Sequence, residues 1–299
     1  MLDTGKLVLL REVSLRGSVT AAAASLGVSP SNISQRLSRL ERECGVPLLE
    51  SEGRGVRLSA AAVRLVEHTE QILEVLERAS SELESPGGAP SGTVRLVGFH
   101  TFAIGMLASA TRALHRDAPG LRLEFVQLDP EAAVDRLLAR RADIAVADEY
   151  PGHPLPPSPG LRGTVLGKEP IQAYLPAGVD DPAAAVWAME PRASDSFRWS
   201  RGICRAAGFE PRVQFESPDP YVHRRLVEQG VAAAFLPAGV AAGLHAPVAP
   251  VSGFPDDMHR RHVTLIRRGT ERSRAVAACL AALRTAWGEV WGAADQPIV

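Results

Sequence analysis

The stretch from Ser18 to Leu40, SVTAAAASLGVSPSNISQRLSRL, constrains the fold more than any other part of the chain. Ala22, Ala23 and Leu26 recur at helical spacing and leave one small apolar face, and Gly27 then supplies a residue able to leave right-handed backbone space. A second helix opens at Ser29, a capping hydroxyl, followed by Pro30 at the first helical position, where a missing N–H costs nothing. Ile33, Leu37 and Leu40 continue at helical spacing and predict one buried side. Ser31, Asn32, Ser34, Gln35, Arg36 and Arg39 fall on or near the other. Taken alone this is any antiparallel helix pair with a polar outer face. Its short amides, hydroxyls and arginines are also the groups that read base edges and grip phosphates from a helix in the major groove.

The surroundings favour the second reading. Upstream, Leu7, Leu10 and Val13 predict a first helix that packs across the pair. Downstream, Val46 to Ser59 reads as a turn-rich wing carrying Arg54 and Arg57. The expected DNA-contacting set is Thr20, Ser29, Pro30, Ser31, Asn32, Ser34, Gln35, Arg36, Arg39, Arg54 and Arg57. Basic charge is local: Ser29 to Leu40 holds two arginines and no acid, while the whole chain has a formal charge of -1. That balance excludes a protein that coats nucleic acid non-specifically. Glu41, Glu43, Glu50 and Glu52 lie close by, so modest affinity per subunit and dependence on dimerisation are expected.

These residues resemble the LysR-type transcriptional regulators. The resemblance rests on Gly17, Ser18, Thr20, Ala21 and Ala22; on Ser29 to Glu41; on Gly45, Leu48, Leu49 and Glu50; and on Arg54, Gly55, Val56, Leu58 and Ser59. Leu10 and Leu49 stand where aromatics are usual in that family, Pro30 replaces a common glutamine, and Ser51 replaces the wing arginine. The resemblance implies double-stranded DNA, a small-molecule effector, further copies of the chain in a dimer or tetramer, and RNA polymerase as partners.

The three cysteines, Cys44, Cys204 and Cys279, are far apart and odd in number, which argues against a disulfide framework and for a reducing compartment. None has metal-ligand spacing, and buried small side chains are the expectation. No apolar stretch followed by a cleavage site opens the chain and no 18-residue apolar run occurs, so the reading is cytoplasmic, without a membrane partner.

Residues 59–84 carry no Gly or Pro and repeat apolar positions in sevens. Leu58, Leu65, Ile72 and Ala79 form one row; Ala62, Thr69, Leu76 and Leu83 form the other. Such a seam predicts a long linker helix paired with a copy of itself, with Glu67, Glu70, Glu74 and Glu77 solvating the remaining faces. Ser85 to Gly92, with two prolines and three glycines, reads as a hinge.

Beyond it, strands at Thr93–Gly98, Leu121–Gln127 and Asp143–Ala147 alternate with helices at Phe102–Arg116 and Glu131–Arg141, which predicts a parallel sheet covered on both faces. Five prolines in Pro151–Gly160 mark a loop. Further strands are expected at Ile171–Leu175, Val186–Met189, Arg212–Glu216, Val231–Leu236 and His262–Arg267, and helices at Ser196–Ala207, Tyr221–Gln229 and about Glu271–Trp287. The expected architecture is an α+β winged helix-turn-helix (1–58), a linker helix (59–84), a hinge (85–92) and an α/β effector domain (93–299). By its resemblance, the last is similar to periplasmic binding proteins, with subdomain I at about 93–166 and 268–299 and subdomain II at about 167–267.

Two α/β halves joined by two crossovers place a ligand cleft at the carboxyl ends of their strands. The residues expected there are His100, Thr101, Gln127, Asp129 and Asp148 from one half, and Ser194, Asp195, Ser196, Ser217, Asp219 and Pro237 from the other. Hydroxyls at helix starts suit a carboxylate or other anion, and the aspartates a cationic or polyhydroxyl part; each is also a preferred helix cap. No catalytic motif, metal site or cofactor-binding signature appears, and the His259/His262 pair reads as part of an arginine-rich surface strand. The reading is a ligand-responsive transcriptional regulator that binds an inverted repeat. Its competitor is a small-molecule binding module or ligand-converting enzyme with a dimerising N-terminal region.

Overall fold

The computed structural model describes residues 2–52, 55–83, 89–244, 248 and 250–292; Arg54 of the expected wing and residues 85–88 of the expected hinge lie outside them. The chain begins with α1 (Thr4–Arg16), capped by Asp3, whose side chain accepts the Lys6 N–H at 3.0 Å. A short helix α2 (Val19–Leu26) starts under Ser18 and ends on Gly27, left-handed at φ 69°. The recognition helix α3 (Pro30–Cys44) starts under Ser29, whose hydroxyl accepts the Asn32 N–H at 3.2 Å. Leu7, Leu10 and Val13 close against Ile33, Leu37 and Leu40 over Ala22 and Ala23, all buried. Removing each of the larger side chains from water contributes about 1.5–3 kcal/mol. The wing is a hairpin of β1 (Leu49–Glu52) and β2 (Gly55–Leu58), anchored by Glu41, whose carboxylate accepts the N–H groups of Leu48 and Leu49 at 2.8 and 3.1 Å.

The linker helix α4 (Ala60–Glu82) departs from the expected two-row seam. Ala62 and Thr69 are buried within the chain, and Leu58 and Leu65 pack on the core of the N-terminal unit. Only the later part of the rows is open: Ile72 is 39%, Leu76 47% and Leu83 85% exposed, with Val75 beside them. Nor do all four glutamates solvate the helix. Glu70 pairs with Arg11 of α1 at 2.5 Å, and Glu77, nearly buried, pairs with Arg267 at 2.9 Å and with Arg140 at 2.5 Å.

The C-terminal part is built from β3 (Gly92–Gly98), α5 (His100–Asp117), β4 (Leu121–Gln127), α6 (Pro130–Leu138), β5 (Ile144–Glu149), β6 (Leu161–Tyr174), β7 (Val186–Met189), α7 (Asp195–Ala206), β8 (Arg212–Glu216), α8 (Pro220–Glu228), β9 (Ala234–Pro237), α9 (Ala238–Ala241), β10 (His259–Arg267) and α10 (Arg274–Trp291). The main sheet has strand order β4-β3-β5-β10-β6-β9. Its β4-β3-β5 part is parallel as expected, but β10 runs antiparallel to both β5 and β6, and β6 antiparallel to β9, so the sheet is mixed. The chain crosses between the halves once in each direction, and the two crossing strands lie side by side.

The 14-residue strand β6 was expected only at its end. Gly163, Gly167 and Pro170 interrupt its apolar pattern, yet each serves the sheet. Pro170 pairs with His259 at the start of β10, and the pairing shifts register between His262 and Val263, next to Gly167. Strand β10 is also longer than expected and lies between β5 and β6, so it is an interior strand; burial of Arg260 and His262 overturns the surface reading of this segment. The last helix starts three residues late because a 3-10 turn at Thr270–Arg272 precedes it. It lies with α5 on one face of the subdomain I sheet, and α6 covers the other.

At Gly167 a Cβ would run into the Trp287 indole that lies over the crossover. Gly167→Ala should therefore cost about 1–3 kcal/mol in urea unfolding by overpacking. Unchanged stability would show that the indole is not held against the strand.

Candidate functional site

Two regions carry the groups expected from the sequence. On the N-terminal unit, Thr20, Ser29, Pro30, Ser31, Asn32, Ser34, Gln35 and Arg39 are exposed along one continuous side of α2 and α3. Arg36 is half-buried, its guanidinium leaning over the first turn of α1, where a Cβ on Gly5 would come 3.0 Å from Nη2. Arg57 of the wing pairs with Glu50 across the hairpin at 2.6 Å, so its charge is offset. Among the described residues Arg36 and Arg39 form no ion pair. Three of the nearby acids are spent within the fold: Glu41 on the wing backbone, Glu43 on Lys6 and Glu50 on Arg57.

The second region is the cleft between the α/β halves. At its floor lies Arg260 on β10, 2% exposed. Its guanidinium donates to Glu169 of β6 at 2.8 Å, to Asp148 at the end of β5 at 3.1 Å and to the Thr101 hydroxyl at the start of α5 at 2.7 Å, and it stacks 5.1 Å over Phe99. Glu169 further accepts from His262 Nε2 at 2.9 Å and from the Gly239 N–H at 3.0 Å. One buried cluster thus ties α5, β5, both crossover strands and the first turn of α9. Burial opposes ionisation of Glu169, but the Arg260 charge and the His262 hydrogen bond win and hold its carboxyl at about 2. Burial pushes His262 down, so it donates as neutral imidazole, and its Nδ1 has no partner among the described residues.

Above this floor, Tyr150, Met189, Glu190, Ser196, Trp199 and Phe235 line a cavity with about 350 Å³ of empty space, part of it open to solvent. Pro237 and His223 complete its wall. Asp148 stands behind it, accepting from the Tyr150 hydroxyl at 3.2 Å. At one rim His100 lies 3.3 Å from Gln127 and 3.4 Å from Asp219 across the cleft, and at another His153 lies 3.8 Å from Asp195. Asp129 begins α6 without a side-chain capping bond.

Other expected residues are occupied. Ser194 caps α7, Ser217 accepts the Asp219 N–H at 3.2 Å, and Asp219 caps α8. Thr101 and Ser196 do not meet: Thr101 opens with Glu169, Tyr221 and Trp291 on a separate cavity. Reading the sequence missed Glu169, Arg260, His262, Tyr150 and Glu190. Glu190 was within reach, since it directly follows the expected strand Val186–Met189 as Asp148 follows Asp143–Ala147. Burial pushes the Cys204 and Cys279 thiols up to about 12, as inert core thiols. Among the described residues no helix is long and apolar enough to cross a membrane.

The sequence model of the LysR substrate binding domain matches residues 87–288, and that of the lysR-family bacterial regulatory helix-turn-helix protein matches residues 5–63. The chain belongs to the LysR family of bacterial transcriptional regulators. It is similar to the HTH-type regulator ShiR of Corynebacterium glutamicum (strain R), 30% identical over 264 residues with 83% of this chain and 85% of that one covered. It is also similar to TcbR of Pseudomonas sp. (strain P51), 26% identical over 242 residues, covering 77% and 81%. Among solved structures, CbnR shares the fold at a TM-score of 0.54, 22% identity and coverage of 94% and 100%. A full-length OxyR variant from Pseudomonas aeruginosa shares it at 0.59, 18% identity and 95% of each chain. This LysR-family regulator therefore joins a helix-turn-helix unit to an effector-binding domain.

In the regulator, Glu169 is depressed relative to an ordinary carboxylate, so its stabilisation is present above about pH 4.5 and is lost as the pH falls towards about 2. The loss should amount to about 3 kcal/mol. Glu169→Gln should remove that part of the acid dependence and cost about 3–5 kcal/mol at neutral pH, because Arg260 is left under-compensated. Urea unfolding at a series of pH values checks both, and a variant with wild-type acid dependence would contradict the assignment.

Proposed function

We propose that this regulator acts as a dimer or dimer of dimers that reads an inverted-repeat site, under control of a small molecule bound in the cleft. The observation that carries the reading is the side of α3 that holds Ser31, Asn32, Ser34, Gln35 and Arg39 exposed and free of ion pairs, while its other side builds the core. A solved structure of CbnR complexed with its target DNA has the same fold, with a TM-score of 0.53. The open apolar stripe of Ile72, Val75 and Leu76 on α4, continued by Leu83 just past its end, supports pairing through the later half of that helix. A two-fold pair would set two α3 helices about one DNA turn, or a multiple, apart.

Two rigid elements support coupling of cleft to linker. Helix α6 has Asp129 at its cleft end, and Arg140 just past its other end pairs with Glu77 of α4. Strand β10 has Arg260 at the cleft floor and Arg267, also paired with Glu77, seven residues on, or about 23 Å away. An effector that favours one mutual orientation of the halves would move both attachments of α4 together. The cleft is read as a binding site rather than a catalytic one: burial lowers His223, and its Nε2 is taken by the Ser217 carbonyl, so this imidazole is not free to serve Ser196 or Ser200 as a base.

A gel shift on the DNA immediately upstream of the protein's own coding region tests the reading. Gln35→Ala should keep the dimer and lose about 1–3 kcal/mol of specific binding. Ile72→Asp with Leu76→Asp should sediment as a monomer and lose the shift. Wild-type binding by both variants would remove α3 and the α4 stripe from these roles.

A further inference from the structure

The cleft cavity has an unusual charge balance for a site expected to take an anion. None of its lining side chains is Lys or Arg, and Glu190 is the one carboxylate among them. The nearest cation, Arg260, is already engaged by Glu169, Asp148 and Thr101. Glu190 is left with the Ser196 hydroxyl as a hydrogen-bond donor and, among the described residues, with no ion pair of its own, the one cationic charge that acts on it being that of the shared Arg260. A ligand carboxylate entering here would meet Glu190, with Asp148 and Asp129 close behind, and no cationic side chain to pair with. The rest of the wall is aromatic and aliphatic. Tyr150 and Trp199 lie 5.4 Å apart and Trp199 meets Phe235 edge-on at 5.7 Å, so three aromatic side chains border the same space.

We propose that the ligand of this cavity is an organic cation, an amine carried on an aromatic or branched apolar body, with its ammonium donating to Glu190 and its body against Trp199 and Phe235. The inference rests on the reading of the cleft as the effector site and gives that effector a chemical class. Each element of the cavity then has a complement. The ammonium supplies the direct ion pair that Glu190 lacks, and the aromatic and aliphatic wall takes the apolar body.

Binding should depend on pH through Glu190. The groups that face it are Asp148 from β5, Tyr150 just past that strand, Asp129 from the start of α6, Arg260 from β10 and Ser196 from α7, with His223 of α8 on the same cavity. Burial first, then the charge of Asp148, raises the Glu190 carboxyl to about 7. Below that value the site is neutral, and a bound ammonium must displace the carboxyl proton to solvent. Above it the carboxylate is ready. An alkylamine remains protonated throughout this range, so affinity for it should rise as the pH passes upward through 7, with release of up to one proton on the acid side.

Calorimetry on the full-length protein with three probes of one body, phenethylamine, 2-phenylethanol and phenylacetate, tests this. Phenethylamine should bind best, and its affinity should rise up to about tenfold from a unit below pH 7 to a unit above it. Glu190→Gln, with its fold checked by near-ultraviolet dichroism, should weaken phenethylamine at least tenfold and leave 2-phenylethanol little changed. Phenylacetate binding that is stronger than that of the amine and lost in Ser196→Ala would overturn the cationic class while keeping the cleft as the ligand site. Amine binding indifferent to both Glu190→Gln and Ser196→Ala would overturn the class and the cleft reading together. Absence of heat from all three probes would overturn the class.

Discussion

Arg260 holds the effector domain together where the two crossover strands run side by side. Taking a guanidinium and a carboxylate out of water costs several kcal/mol each, and only close contacts that use most of their hydrogen-bonding capacity recover it. Here the contacts come from different parts of the fold: Thr101 and Asp148 from subdomain I, Glu169 and His262 from the crossovers, and the Gly239 N–H from subdomain II. An apolar cluster of equal volume could provide comparable stability. It would not fix the mutual orientation of the halves through directional bonds, which weaken steeply as the donor–acceptor angle bends.

The same strand reaches the linker. Arg260 and Arg267 sit at opposite ends of β10, one under the cavity and one against Glu77 of α4, and α6 makes a parallel connection through Arg140. Arg140 holds a left-handed backbone at φ 59°, uncommon for a residue with a Cβ. Its guanidinium reaches Glu77 from that conformation. The N-terminal unit touches subdomain I as well, through Arg16 with Asp135 and through Arg141, which donates to the Ser25 carbonyl at 3.1 Å. A movement of the cleft therefore has short, charged routes to the helix that positions α3.

What was legible in the sequence was local. The helix-turn-helix could be read because Ser18, Gly27, Ser29 and Pro30 are caps and stops whose physics lies within a few residues, and the strands β4, β7 and β8 because they are short apolar or alternating runs with clear ends. Strand β6 was hidden by Gly163, Gly167 and Pro170, whose reasons, the Trp287 indole among them, lie far away in the chain. The sequence HRRH at the start of β10 carries the marks of a solvated edge. Only the fold, by setting it between β5 and β6, turns it into the buried floor of the cleft. On α4 the heptad rows were legible, but their division between the chain's own core and a partner was not, since Ala62 and Ile72 look alike in a repeat.

The central claim is that the cleft and the linker helix share one mechanical connection through β10 and α6. Hydrogen–deuterium exchange on the full-length protein tests it when the cleft floor is altered by Asp148→Asn, a change that touches neither α4 nor its partners. The account predicts altered protection in the α4 amides around Glu77 and at the end of α6, together with those lining the cleft. Altered protection confined to the cleft, with α4 unchanged, would contradict it.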